Sequence, residues 1–262
     1  MITITSKDNT IVKQVKKLLS AGKYRKRENA FVAEGLRLCR DLALSKGTIL
    51  ITLATQRFQE DYEKDFALIA QNSKACYTVT DGIMNTLSDT PSPQGVICVC
   101  EIPAFSSMPQ NQGKFVILEQ VSDPSNLGAV ARTAEAMGID GLFISGGCDA
   151  FHPKALRASM GALLRLPVYH ATMEEIFDCM HTLQVPTYGA VVKNAHYGVG
   201  QVDFSGACGV IIGNEASGLT QSTIQACDKT ITIPMAGRAE SLNAAAAACV
   251  LIWEMTGRGG AQ

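Results

Sequence analysis

A chain of 262 residues with 47% apolar content has enough material for one or two packed domains. It holds no apolar run of bilayer-spanning length and opens with no apolar stretch behind its first charges, which argues against a membrane helix or a secretory leader and leads us to expect a cytoplasmic protein. Net charge is −1, yet residues 1–40 carry ten Lys/Arg against three acids, so a basic block precedes an acidic body: the pattern of a polyanion contact, or of a solvated basic helix with a flexible hairpin after it.

In chain order, "NTIVKQVKKLLSAG" has helical apolar spacing with lysines on its other face, and Gly22 is expected to stop it. "AFVAEG" reads as a strand, "LRLCRDLALS" as a helix, 48–54 as a strand, 59–70 as a helix, "CYTVT" as a strand, 81–87 as a short helix and 95–102 as a strand. This alternation predicts a small α/β domain over 1–103. The Pro-, Ser- and Gln-rich stretch over 104–113 reads as a linker to a second domain, 114–262. There, strands are expected at 114–121, 141–145, 166–170, 186–192, 208–213 and 229–235, with helices after "SDPSN", at 154–160, 173–182, after Ser217 and at 241–256. Six β-branched, continuously apolar strands, five of them leading into helices, predict an α/β fold with a parallel sheet covered on both faces.

Nine cysteines lack any CxxC spacing, and several, such as Cys98, Cys100 and Cys208, lie inside apolar runs. They read as buried thiols, and no metal is expected. No G-x-G-x-x-G follows a strand, no G-x-x-x-x-G-K-[ST] or H-E-x-x-H occurs, and the four histidines are dispersed, with His152 and His196 expected at the surface.

Ligands of parallel sheets sit where strands run out into helices. Three such junctions are unusually polar and Gly-rich. In the first, "SDPSN" reads as a turn with Asn126 at the helix N-cap, and Arg132 follows in the helix, about 120° round from it. On spacing alone Arg132 reads first as an ordinary surface charge on an amphipathic helix. In the second, Gly213 ends a strand and would let a ligand approach the backbone. Asn214 and Glu215 would orient a hydroxyl or cap the next helix, unless Ser217 caps it and Gly218 merely turns the chain. In the third, Ser241 reads as an N-cap, Asn243 as a first-turn hydrogen-bonding group, and the alanine run as a helix on which another backbone packs closely.

Together and in this order, "DPSNLGAVARTAEAMGI", "VIIGNEASGL" and "IPMAGRAESLNAAAAACV", with "FHPKALRASMGALLRLPV" between them, resemble the SpoU/TrmH family of RNA ribose 2′-O-methyltransferases of the SPOUT superfamily, over roughly 112–257. The basic domain before them, with "SPQGV", more loosely resembles that family's ribosomal-protein-like RNA-binding domain. The resemblance implies a deep trefoil knot in the C-terminal domain, S-adenosylmethionine as cofactor and a homodimer. It implies cofactor contacts from Gly213, Ile233 and Leu242, with Ala190 and Val191 on the adenosine side and Met235 and Gly237 shaping the same pocket. It implies a catalytic set of Arg132, reaching over from the neighbouring subunit, with Asn126, Glu215, Ser241 and Asn243. Lys16, Lys17, Arg25 and Arg27 are expected to bind RNA, ribosomal RNA before transfer RNA, since a separate N-terminal domain is present. One departure is that Ala244, Ala245 and Ala246 stand where the family often has Val-Ser-Val. A non-catalytic RNA-binding protein on the same fold and an ordinary Rossmann-type nucleotide enzyme are the competing readings.

Overall fold

The computed structural model describes residues 1–45, 47–88, 90–104 and 107–257; two residues of the expected linker, 105 and 106, lie outside the described residues. By its internal contacts the chain forms two compact units: Met1–Pro103 with Phe151–Gly161, and Ala104–Ala150 with the chain from Ala162 onward. Among the described residues no helix is long and apolar enough to cross a membrane.

The first unit runs β1 (Ile2–Ile4), α1 (Thr10–Ser20), α2 (Gly22–Glu28), β2 (Ala30–Glu34), α3 (Leu36–Leu44), β3 (Ile49–Thr55), α4 (Gln56–Asp61), α5 (Glu63–Gln71), β4 (Ser73–Val79), α6 (Asp81–Met84) and β5 (Val96–Glu101). Its described strands form a mixed sheet in the order β1-β4-β3-β5-β2, with β5 antiparallel to both its neighbours. Helix α1 starts at Asn9, whose side chain accepts from the Ile11 N–H, and buries Val12, Val15 and Leu18. The basic helix therefore has the apolar stripe its spacing predicted.

Two boundaries differ from expectation. Gly22 does not stop the first helix; Ala21 breaks it with an extended backbone and Gly22 opens α2, so a helix stands where the alternative reading placed a flexible hairpin. The cause is Arg25, which is only 2% exposed and donates from Nη1 to the carbonyls of Leu18 (2.5 Å) and Leu19 (3.3 Å) at the end of α1. Those carbonyls have no partner within their own helix, and a guanidinium satisfies them well. The helix expected over 59–70 is two helices, broken at Tyr62, with α4 starting early because Thr55 caps it through the Phe58 N–H.

The second unit contains β6 (Lys114–Glu119), α7 (Pro124–Ala136), β7 (Gly141–Ser145), β8 (Val168–His170), α9 (Met173–Thr182), β9 (Thr187–Ala190), β10 (Tyr197–Gly198), β11 (Cys208–Ile212), α10 (Gln221–Ala226), β12 (Lys229–Thr232) and α11 (Ala244–Gly257). Helix α8 (Pro153–Ser159) lies between β7 and β8 in sequence but belongs to the first unit, where Phe151 stacks on Phe31 at 5.1 Å and Arg157 pairs with the mostly buried Glu34. The described strands of the second unit make one parallel sheet, β10-β12-β9-β11-β6-β7-β8. Its central strands β6 and β11 are buried almost throughout, as strands covered on both faces must be. From β6 the chain steps outward through β7 to β8, then crosses to the other side of β6. The loops after β6 and β11 therefore leave adjacent strands in opposite senses, the switch point at which open α/β sheets hold ligands.

Candidate active site

The junction after β6 starts with Asp123, not Asn126, as the cap of α7: its carboxylate accepts from the Ser125 N–H, and Pro124 takes the first helical position. This moves Asn126 into the first turn, 7% exposed, with its side chain free of capping duty. The junction after β11 is a tight turn in which Asn214 and Gly218 exchange backbone hydrogen bonds and Gly218 takes φ 68°. Gly213 is required for that turn itself, since a Cβ there would fall on the backbone of Gly218 and Leu219. A steric requirement thus stands beside the ligand-approach argument made for this glycine, which lines the cleft. Neither Ser217 nor Asn214 caps α10; Thr220 does, accepting from the Thr223 N–H, while Glu119 beneath it, 4% exposed, accepts from the Thr220 and Thr223 hydroxyls. In the third junction the cap is Asn243 rather than Ser241: its Oδ1 accepts from the N–H groups of Ala245 (2.9 Å) and Ala246 (3.3 Å).

These corrected caps bring the three junctions into one hydrogen-bonded chain. Asn243 Nδ2 donates to Asn126 Oδ1 at 3.0 Å, and Asn126 Nδ2 donates to Glu215 Oε1 at 2.7 Å. Glu215 also accepts from the backbone N–H groups of Ser122 (3.0 Å) and Asp123 (3.1 Å). Burial works to raise the Glu215 pKa, but the hydrogen bonds from Asn126, Ser122 and Asp123 outweigh it and hold the group below its ordinary value. Glu215 is therefore a carboxylate with its lone pairs engaged, fit to orient neighbours and unfit to give up or take up a proton near neutrality. Cys148, the nearby thiol, is pushed up to about 11 by burial and by the charges of Glu215, Asp123 and Asp149, and so is no nucleophile.

Beside this chain lies a cleft of about 470 Å³ between three loops. Ala190 and Val191 line it after β9, Gly213 and Glu215 after β11, and Ile233, Met235, Ser241 and Leu242 along the segment leading into α11. Its apolar floor is Ile212, Ile231 and the Ala244, Ala247 and Leu251 face of α11. The small side chains of that helix leave the cleft its width. Gly237 is not among the lining residues and faces open space. Lys193 and Glu240 also line the cleft, and sequence reasoning missed both, because charged residues in polar loops carry no pattern. Arg132 is exposed, lies outside the lining, and among the described residues makes no hydrogen bond or ion pair. One copy of the chain therefore gathers Asn126, Glu215, Ser241 and Asn243 and leaves Arg132 out.

Helix α11 is largely apolar, with Glu254 and Thr256 its polar exceptions: Ala248, Leu251, Ile252 and Met255 are buried, yet Trp253 is 59% exposed. Histidines serve as structural acceptors: His152 caps α8 and His196 Nδ1 accepts from the Thr230 N–H. Among the described residues no three His, Cys, Asp or Glu side chains stand as a metal site. Of the four cations assigned to RNA, Lys16 is half-buried on α1, and Lys17 is exposed with its Nζ 5.7 Å from the centre of the Tyr24 ring. Arg25 is buried and is corrected to a helix-end cap. Arg27 lies over the Tyr24 ring at 4.7 Å and is bonded through Nε and Nη2 to Glu28, so its charge is largely compensated.

Residues 113–253 match the model of the SpoU rRNA Methylase family, and residues 9–98 that of the MRM3-like substrate binding domain. The chain is 30% identical to the 23S rRNA (guanosine(2553)-2'-O)-methyltransferase RlmP of Bacillus subtilis, over 98% of this chain and 100% of that one. It is 30% identical to a 23S rRNA (uridine(2479)-2'-O)-methyltransferase of Streptomyces viridochromogenes, over 96% and 90% of the two chains. The crystal structure of the SpoU methyltransferase AviRb from the same organism, in complex with AdoMet, superposes with a TM-score of 0.84 at 27% identity, over 95% and 97%.

Proposed function

The chain belongs to the SpoU rRNA methylase family, and on that premise we propose that it transfers a methyl group from S-adenosylmethionine to a ribose 2′-hydroxyl of ribosomal RNA, a role exercised in the cytoplasm. The observation that carries the reading is the hydrogen-bonded chain Asn243–Asn126–Glu215 at the edge of the cleft. It presents oriented polar groups to one place, which is what an in-line displacement requires of a protein.

The cleft suits the cofactor in size, small-molecule sites running from about 300 to 1,000 Å³. Its loops offer backbone groups at Ala190, Val191, Gly213, Ile233 and Leu242 for a purine and a ribose, while Met235 borders an apolar floor. When bound, S-adenosylmethionine supplies an electrophilic methyl carbon on a sulfonium. The chain's own task is to hold the ribose oxygen in line, keep water away and stabilise the charge that grows on that oxygen. Ser241 lines the cleft where it would hold the ribose, with Asn243 beside it bonded to Asn126, which Glu215 fixes in turn. Arg132 supplies the positive charge. A guanidinium with a pKa above about 12 is a poor base, so we assign it the adjacent phosphate and the developing alkoxide.

Because Arg132 lies outside the cleft of its own chain, we assign it to the cleft of a second copy. The exposed Trp253 on a largely apolar α11, which packs on α7, supports a homodimer through these two helices. The knotted trace is also part of the proposal. Strand β12 inserts between β9 and β10, which a short loop joins directly, and this supports a thread passed through that loop. An experimental trace in which the chain leaves β12 without entering the loop would refute it.

To test the function, 2′-O-methyl sites are mapped in total RNA from cells with and without the gene. One ribosomal RNA position is expected to lose its methyl group and regain it in vitro with purified protein and donor. A lost site in transfer RNA would move the substrate, and unchanged maps with no transfer would leave a non-catalytic RNA binder. For the first unit, Lys16→Ala with Lys17→Ala is expected to reduce the slope of log affinity against log salt by about 1.5, the counterions of two phosphate contacts. An unchanged slope would remove this face from the RNA contact.

A further inference from the structure

The reading above uses Asn126, Glu215, Ser241 and Asn243, and leaves unexplained why the loop between β6 and α7 keeps its shape. That loop, Gln120–Asp123, starts with a residue in the left-handed region, Gln120 at φ 55°. A non-glycine residue stays there only when its surroundings impose it. The backbone of Ser145 and Cys148 holds part of it, Glu215 bonds two of its N–H groups, and Asn214 grips the Gln120 carbonyl and the Ser122 hydroxyl.

Asn214 sits in the cleft wall, one residue before Glu215, and its amide is used at both ends. Oδ1 accepts from the Ala216 N–H (2.9 Å), the Ser217 N–H (3.2 Å) and the Ser217 hydroxyl (3.3 Å), which closes the turn after β11. Nδ2 donates to the Gln120 carbonyl (2.8 Å) and to Ser122 Oγ (2.8 Å), more than ninety residues away in sequence. Its acceptor half thus builds the turn, and its donor half holds the loop from which α7 departs. Glu215 bonds the next two N–H groups of the same loop.

We infer that Asn214 is a positioning residue for methyl transfer: by clamping Gln120 and Ser122 to the cleft wall it sets the start of α7, and with it the placement of Asn126 and Arg132. This rests on the functional reading above. The same turn lines the cleft, so a donor seated there leans on the element that aims the RNA side of the site. A displacement of about 1 Å in such a constellation is enough to cost about 10²-fold in rate.

The two halves of the amide can be separated. Asn214→Asp keeps the shape and every accepted hydrogen bond, but loses both donations and sets a carboxylate against the Gln120 carbonyl. Turnover on ribosomal RNA transcribed in vitro and affinity for S-adenosylhomocysteine, by calorimetry, are measured together. For Asn214→Asp we expect kcat down about 10- to 100-fold, with affinity for S-adenosylhomocysteine and KM for RNA within about threefold and the melting profile retained. Ser122→Ala, which removes one of the two acceptors, is expected to lower kcat less. A residue that only shaped its own turn would leave Asn214→Asp at wild-type kcat, which overturns the inference while wild-type transfer still supports the function. Loss of S-adenosylhomocysteine binding in step with turnover also overturns it, since Asn214 would then act on the cleft alone. Should Asn214→Asp fail to fold, Ser122→Ala decides: unchanged kcat there overturns the inference. No transfer by the wild-type chain overturns the functional reading itself, and this inference with it.

Discussion

Arg132→Ala is expected to lower methyl transfer by about 10²- to 10³-fold, the loss typical of removing one charge-stabilising donor from a preorganised site. The change deletes an exposed side chain that makes no hydrogen bond or ion pair among the described residues, so the fold has nothing to lose by it. Cleft residues are untouched, and S-adenosylhomocysteine is expected to bind the variant as it binds wild type. The same variant tests the dimer. Mixed with a chain whose cleft is blocked but whose Arg132 is intact, it is expected to regain part of its activity, because each heterodimer contains one complete composite site. Retained turnover in Arg132→Ala alone would end the catalytic assignment. A dead mixture of two chains shown to exchange subunits would end the assignment across subunits.

The second large effect is expected from Gly213→Val, for a reason independent of charge. A Cβ at Gly213 would lie 2.5 Å from the Gly218 carbonyl oxygen and closer still to the carbon of that carbonyl and the nitrogen of Leu219. All three are backbone atoms of the turn that forms the cleft wall, so no side chain can swing aside. Overpacking of this kind costs about 1–3 kcal/mol even where a core can yield. Here relief comes only by opening the turn, which carries Asn214 and Glu215 with it. Donor affinity is then expected to fall tenfold for each 1.4 kcal/mol of strain so relieved. Calorimetry with S-adenosylhomocysteine and a thermal melt read the two effects separately. Undiminished affinity would show that the cleft is not the donor's seat.

Much of this site was legible because three polar, Gly-rich junctions interrupt strongly apolar strands, and because parallel sheets gather such junctions at one edge. The errors share a physical origin. "SDPSN" offers four residues able to cap a helix, and Pro124, which favours the first helical position, decides for Asp123. "SLN" offers two, and Asn243 wins, its other end held by Asn126 in a partner that sequence spacing does not reveal. Thr220 displaces Ser217 in the same way, with the buried Glu119 beneath it. Arg25 counted toward a basic face because charge is visible in a sequence and burial is not; two carbonyls at the end of α1, without partners in their own helix, claim it. The steric need for Gly213 depends on a turn that folds back by five residues, which no single-residue rule anticipates.

The interlock among the junctions has a consequence for the protein's own synthesis. Asn126 meets Glu215 across 89 residues of chain and Asn243 across 117. Contacts so remote form late, after the loops between them have closed. A nascent chain therefore has residues 1–103 made long before Asn126 can meet Glu215 and Asn243. The polar chain beside the cleft is complete only once Asn243, at the start of α11, has been made.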